Sequence, residues 1–177
     1  MKKEFSVKQL GAAQIPSPLP LSSNSKQKEL HFVQDDARIL HDVTVFPGSN
    51  TKNPQSIEQA GPRSHLYFDA SKVKAGIVTC GGLCPGINDV IRSIVMQLYH
   101  NYGVKRIQGF RYGFQGFIPA YKHEILELTP ALVKNIHNLG GSLLSSSRGP
   151  QDPVEIVDCL ERNNIRILFC IGGDGTL

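Results

Sequence analysis

Two glycine-rich segments of this chain carry the residue types that phosphate chemistry needs. The first, Gly81-Gly82-Leu83-Cys84-Pro85-Gly86, follows an apolar run and precedes a helical pattern. Glycines there let the backbone approach a ligand, and the helix N-terminus behind them offers free N–H groups and a partial positive charge. The segment is neither GxGxxG nor a Walker loop, because no Lys-Ser/Thr pair follows, so a ligand-free glycine turn stays open as the alternative. The second is Gly172-Gly173-Asp174-Gly175-Thr176. Asp174 is the only carboxylate in either segment. Phosphate-bound Mg²⁺ needs one or two carboxylates beside its waters, so one Asp is enough, although an Asx-type turn would use the same residue. Between them, Ser145-Ser146-Ser147-Arg148-Gly149-Pro150 ends in a lone Arg, which either faces a phosphoryl group or lies on the surface. Tyr112-Gly113-Phe114-Gln115-Gly116-Phe117 adds aromatics that would flank a base or plug a core edge.

The elements that must position these residues read as alternating strands and helices. Val73 to Cys80 is a short apolar run ending in glycines, as a buried parallel strand would be. Ile87, Val90, Ile91, Ile94, Val95 and Leu98 trace one face of a helix. Val104 to Phe110 reads as a second strand. Thr129-Pro130 is an N-cap with Pro at the first helical position, predicting a helix to about Asn138. Asp152-Pro153-Val154-Glu155 repeats the device, with a helix to about Asn163 carrying Ile156, Val157 and Leu160 on one side. Ile165 to Ile171 is a continuous apolar strand, and the Ser145 to Pro150 stretch lies where another strand should run. The pattern predicts an α/β fold with an open, mainly parallel sheet and right-handed crossovers. Ligands in such sheets collect at the carboxyl ends of strands, so the two glycine loops are candidates to share one crevice.

The rest of the chain narrows the classes. Its 177 residues are 40% hydrophobic and 19% charged, within reach of one sizeable core. The first 72 residues read as an extension: a poorly ordered lead over 1–30, a short strand within 37–46, and a turn-rich stretch over 47–62. The formal charge of +4 is spread along the chain with no run interleaving Lys/Arg and aromatics, which argues against nucleic acid. No apolar run approaches the roughly eighteen residues that span a bilayer, and the start lacks the apolar core of a secretory signal, so a cytoplasmic protein without a membrane partner is expected. Cys80, Cys84, Cys159 and Cys170 sit in or beside apolar segments, as reduced buried thiols do. Neither they nor the six scattered His form a zinc-like spacing.

Taken together the motifs resemble those of the phosphofructokinase family. The supporting residues are Ile77-Val-Thr-Cys-Gly-Gly-Leu-Cys-Pro-Gly-Ile-Asn-Asp89, Tyr112-Gly-Phe-Gln-Gly-Phe117, Gly140-Gly-Ser-Leu-Leu-Ser-Ser-Ser-Arg-Gly149 and Ile171-Gly-Gly-Asp-Gly-Thr176, in the family's order. The likeness runs over 73–177, and Ala60-Gly-Pro-Arg-Ser-His-Leu-Tyr-Phe68 is similar to the lead-in of the longer branch that includes plant, trypanosome and some bacterial enzymes. The last string also occurs in NAD kinases, but nothing in that family explains the Gly81 to Gly86 loop.

The resemblance implies a Rossmann-like nucleotide-binding domain, truncated at Leu177, and phosphoryl transfer from ATP to the 1-hydroxyl of fructose 6-phosphate. It implies nucleotide contacts for Gly81, Arg148, Gly149, Gly173, Asp174, Gly175 and Thr176, with Mg²⁺ on Asp174 and Arg148 facing the transferring phosphoryl. Phe114 falls where relatives place an aromatic near the nucleotide. Pyrophosphate-dependent relatives usually carry Asp at the position of Gly175, so Gly there points to ATP; pyrophosphate is the alternative donor. The family's Pro-x-Thr-Ile-Asp-Asn-Asp segment, which holds the catalytic base, does not occur in this sequence. On this reading the chain is the nucleotide half of an allosteric enzyme that assembles as a homodimer or homotetramer, and alone it is inactive. A non-catalytic short product that only binds nucleotide is the remaining alternative.

Overall fold

The computed structural model describes residues 8–22, 31–44, 46 and 54–176. The chain divides into two compact units, Met1–Phe68 and Asp69–Leu177.

Among its described residues the first unit has four very short strands: β1 (Ile15–Pro16), β2 (Arg38–Leu40), β3 (Ser56–Glu58) and β4 (His65–Leu66). β1 pairs with β4 and β2 with β3, both antiparallel. Polar ties do much of the joining. Arg38 donates from Nε to Ser56 Oγ at 2.8 Å and from Nη2 to Ser56 O at 2.6 Å. Arg63 reaches Glu58, Gln34 O and Gln59 O. Phe32 is the one buried apolar side chain among this unit's described residues. Within the lead read over 1–30, residues 8–22 contain β1 and a bridge from Ser22 to His31. Residues 1–7 and 23–30, Val45, and 47–53 of the turn-rich stretch lie outside the described residues.

In the second unit, β5 (Lys74–Thr79) is central. α1 (Ile87–Met96) follows and continues through a π-helical turn over Gln97–Tyr102, closed by Gly103. Then come β6 (Arg106–Phe110), β7 (Ile125–Glu127), α2 (Pro130–Val133), α3 (Pro153–Arg162) and β8 (Ile167–Ile171). The sheet order is β7-β6-β5-β8, with β6 and β8 both parallel to β5 and β7 antiparallel to β6. This is the open, mainly parallel sheet that the alternating pattern predicts. Ala75, Ile77 and Val78 of β5 are fully buried, as a strand flanked on both sides requires. Val78, Cys80, Phe110, Phe117 and Cys159 form one core cluster, with Ile156, Leu160 and Leu168 packed against it. Phe110 and Phe117 stack with ring centroids 4.2 Å apart. Burying each such side chain contributes roughly 1.5–3 kcal/mol.

Several local expectations change. The helix from Pro130 stops at Val133 and resumes only as a 3₁₀ turn over Ile136–Asn138. The expected strand near Ser145 is an irregular segment instead. On α3, Val157 is 51% exposed and Cys159 takes the buried position; on α1, Val90 faces outward while Ile87, Ile91 and Val95 are buried. Cys84 and Cys170 are exposed rather than buried. β7 was not predicted by any local pattern. Among the described residues, no helix is long and apolar enough to cross a membrane.

Candidate active site

The two glycine loops leave neighbouring strands at the same level. Thr79 pairs with Ile171 across β5 and β8, and Cys80 N donates to Ile171 O at 2.8 Å, so Gly81 and Gly172 emerge side by side. Such a position at the carboxyl ends of parallel strands is where open α/β sheets bind ligands. A cavity of about 690 Å³ opens there, lined by Cys80, Gly81, Gly82, Phe114, Arg148, Gly149, Gly173, Gly175 and Thr176 among others. Six of the seven residues expected to touch the nucleotide therefore meet in one wall, and Phe114 joins them. Phe114 also packs against the core cluster, so it plugs a core edge as well as lining the cavity.

Asp174 is the exception. It is exposed and opens the 3₁₀ turn Asp174–Thr176, but it is not part of the cavity wall. The turn is closed by backbone, with Thr176 N donating to Gly173 O at 2.9 Å, and not by the Asp174 carboxylate as an Asx-type turn would be. The carboxylate is thus left on the loop, one residue from wall positions on either side.

The wall suits a polyphosphate. At Gly81, Gly82, Gly149, Gly173 and Gly175 a Cβ would meet nothing within 4 Å, so bare backbone faces open space. Gly81 also stands at φ +77°, a conformation that L side chains rarely adopt. Behind it, α1 begins at Ile87 and presents its N-terminus toward the same end of the sheet. Arg148 is exposed, and none of the ion pairs among the described residues involves it. Its charge is therefore available to an anion. Burial pushes the Cys80 thiol up to about 11, with Cys170 adding to the rise and the Phe114 backbone N–H opposing it. The wall therefore carries no thiolate to repel phosphate at neutral pH.

For a divalent cation the donor set is thin. No group of three or more His, Cys, Asp or Glu is arranged to hold a metal among the described residues. Mg²⁺ binds commonly through one or two carboxylates plus phosphate and water, and an exposed Asp174 beside this cavity fits that mode.

A second cavity, of about 730 Å³, lies against Gly81, Gly82, Leu83, Gly140, Gly141, Ser142, Ser145, Ser146, Ser147 and Arg148. It shares Gly81, Gly82, Ser147 and Arg148 with the first, so Arg148 stands between two spaces. Sequence reasoning did not find the part played here by Ser142, Ser145 and Ser146. Their only signal was a run of small hydroxyl residues before the Arg.

A profile of the family described as "Phosphofructokinase" matches residues 74–177. Among curated proteins, one named ATP-dependent 6-phosphofructokinase from Amycolatopsis methanolica is 45% identical over 97% of this chain and 38% of its own length. Proteins of the same name from Borreliella burgdorferi and Trypanosoma brucei brucei are 44% and 41% identical, over 98% and 99% of this chain and 39% and 36% of theirs. The chain thus spans less than two fifths of the length of these relatives. A crystal structure of Pichia pastoris phosphofructokinase in the T-state shares the fold over 72% of this chain and 14% of that one, with a TM-score of 0.52 and 22% identity. The profile match takes in every element from β5 to the second glycine loop, and on that ground the chain belongs to the phosphofructokinase family.

Proposed function

We propose that this chain is the nucleotide-binding part of an ATP-dependent 6-phosphofructokinase, which moves the γ-phosphoryl group of ATP to the 1-hydroxyl of fructose 6-phosphate. The observation that carries this reading is the single cavity wall shared by Gly81, Arg148, Gly149, Gly173, Gly175 and Thr176. In phosphoryl transfer the protein contributes positioning and charge stabilisation. Bare backbone at Gly81, Gly173 and Gly175 lies along the phosphates, and the Arg148 guanidinium stabilises charge on the transferring group. Asp174 would hold Mg²⁺, which supplies charge neutralisation on the phosphates when bound. Phe114 flanks the nucleotide from the core side. The wall contains neither carboxylate nor imidazole, so the hydroxyl proton goes to a base outside it.

Residues 73–177 serve on this reading as the nucleotide domain and 1–72 as an extension of it. A cytoplasmic homodimer or homotetramer under allosteric control is the state that accompanies the reading. The open space at Gly175 favours ATP over pyrophosphate as donor, since a carboxylate there would repel the α-phosphate.

The test is a coupled assay on the full-length protein with fructose 6-phosphate and either ATP or pyrophosphate. Turnover with ATP is expected, and Gly175→Asp should lower kcat/KM for ATP by on the order of 10- to 100-fold, the cost of a misplaced like charge of about 1.4–2.7 kcal/mol. Turnover with pyrophosphate alone would overturn the donor assignment. ATP binding with no turnover on either donor would leave a nucleotide-binding product.

A further inference from the structure

Thr79 and Asn88 are the two buried polar side chains among the described residues, 1% and 3% exposed, and no role above has used them. Both direct their hydrogen bonds to the same place, the irregular segment that runs from Leu139 to Arg148. A segment outside any ladder must satisfy its backbone N–H and C=O groups by other means. Asn88 uses both ends of its amide: Nδ2 donates to Leu139 O at 3.0 Å, and Oδ1 accepts from Leu143 N at 2.7 Å. One partner is a carbonyl and the other an N–H, so the chemistry fixes which way the amide points.

The Thr79 hydroxyl donates to Ser145 O and lies 2.9 Å from Ser142 Oγ. Ser145 sits at φ 58°, a left-handed conformation that persists only where the surroundings hold it. Beyond it, Ser146 Oγ donates to Gly81 O at 2.6 Å and Gly81 N donates to Ser147 O at 3.3 Å. The residue after this last tie is Arg148. Its guanidinium has no ion pair of its own among the described residues, so its location is set by the backbone that carries it.

We infer that Thr79 and Asn88 are positioning residues for phosphoryl transfer: by tying residues 139–147 to the end of β5 and to α1, they hold Arg148 at the transferring group. The inference rests on the role given to Arg148 above. It extends that role to two side chains that line neither cavity.

The experiment is a double-mutant cycle in the full-length enzyme. Thr79→Val and Asn88→Leu are made alone and in an Arg148→Ala background, with kcat and the KM for ATP measured in each. A misplacement of about 1 Å in a catalytic group costs on the order of 100-fold. Thr79→Val should therefore lower kcat about 10- to 100-fold with KM for ATP within about 3-fold, and Thr79→Ser should restore most of it. With Arg148 already removed, the same substitution should change kcat less than about 3-fold, because residues acting through one group are not additive. Equal losses in both backgrounds overturn the inference. If Thr79→Val does not fold, the cycle is read on Asn88→Leu with Asn88→Asp beside it. Wild-type protein that transfers no phosphoryl group sinks the kinase reading, and what then remains of this inference is that Thr79 and Asn88 place Arg148 at the nucleotide. The cycle is then read on ATP dissociation constants, where coupling to Arg148→Ala supports the inference and additivity overturns it.

Discussion

The two glycine loops start at neighbouring positions on one sheet and are held in opposite ways. Gly81 leaves β5, the strand flanked by β6 and β8, and both its N–H and its carbonyl are tied to the 146–147 backbone and side chain. It leads into α1, whose Ile87, Ile91 and Val95 are buried. Gly172 leaves β8, which pairs with β5 alone among the described strands and keeps Ile167, Leu168 and Phe169 only half-buried. Its loop closes on itself, through Thr176 N to Gly173 O, with Thr176 Oγ1 occupying the place where a Cβ on Gly172 would stand. A loop tied to its surroundings offers donors at fixed positions, and one tied to itself can follow a charged ligand. On the proposed function, the first loop would recognise phosphate by backbone and the second would bring a carboxylate to a metal on that phosphate.

Removing the charge of the self-tied loop should have the largest effect. Asp174 is exposed and outside the cavity wall, so Asp174→Asn changes charge without disturbing packing, and stability should stay within about 0.5 kcal/mol. Loss of one electrostatic stabiliser of a transfer reaction costs roughly 100- to 1000-fold in kcat. Steady-state kinetics of the full-length enzyme at saturating ATP and Mg²⁺ check this. An unchanged kcat would take Asp174 out of the reaction and leave the second loop as scaffolding.

The next contrast exchanges a glycine for alanine in each loop. At Gly81 the added Cβ finds open space but the φ of +77° strains it, by about 1–3 kcal/mol. For a unit the size of Asp69–Leu177 that is a fall in Tm of roughly 4 °C per kcal/mol. At Gly172 no such φ applies, but the Cβ would displace Thr176 and open the turn. Gly172→Ala should therefore weaken ATP binding several-fold while moving Tm by less than about 2 °C, since surface changes cost little. Thermal melts with and without ATP separate the two. If both variants lost Tm equally, the loops would be equally built into the core.

What the sequence made legible follows the same division between local and distant ties. β5 and β8 announce themselves as apolar runs ending in glycine. The start of α3 is written in Asp152, whose Oδ1 accepts from Val154 N at 2.9 Å, and that of α2 in Thr129, whose Oγ1 accepts from Leu132 N at 3.2 Å. β7 was hidden because Ile125-Leu126-Glu127 is too short to show alternation and is a strand only by pairing with β6. The helical periods on α1 and α3 overstate the buried stripe, since Val90 and Val157 fall on its margins. The candidate site residues come from glycines and lone charges, which read locally. The irregular 139–148 segment did not, because its order depends on Asn88 and Thr79, 51 to 66 residues away in the chain.

The smallest effect separates the thiols at the bases of the two loops. Cys80 is buried just before Gly81, while Cys170 is exposed on β8. Burial raises the Cys80 pKa from 9.0 to about 11, and partial desolvation of its thiol raises that of Cys170 although the residue as a whole is exposed. A raised pKa means that the folded state holds its proton where the unfolded chain has lost it, so stability is full below pH 9 and declines as pH climbs toward 11. Urea midpoints between pH 8 and 11 should therefore fall more steeply in wild type than in Cys80→Ala, which removes that titration. Cys170→Ala, at the looser loop, should flatten the curve less. Alkylation at pH 8 gives the same order by another route, with Cys170 modified before Cys80 because exposure and thiolate content both control the rate. Faster modification of Cys80 would mean that the end of β5 opens more readily than the edge strand, and the contrast between a fixed loop and a compliant one would reverse.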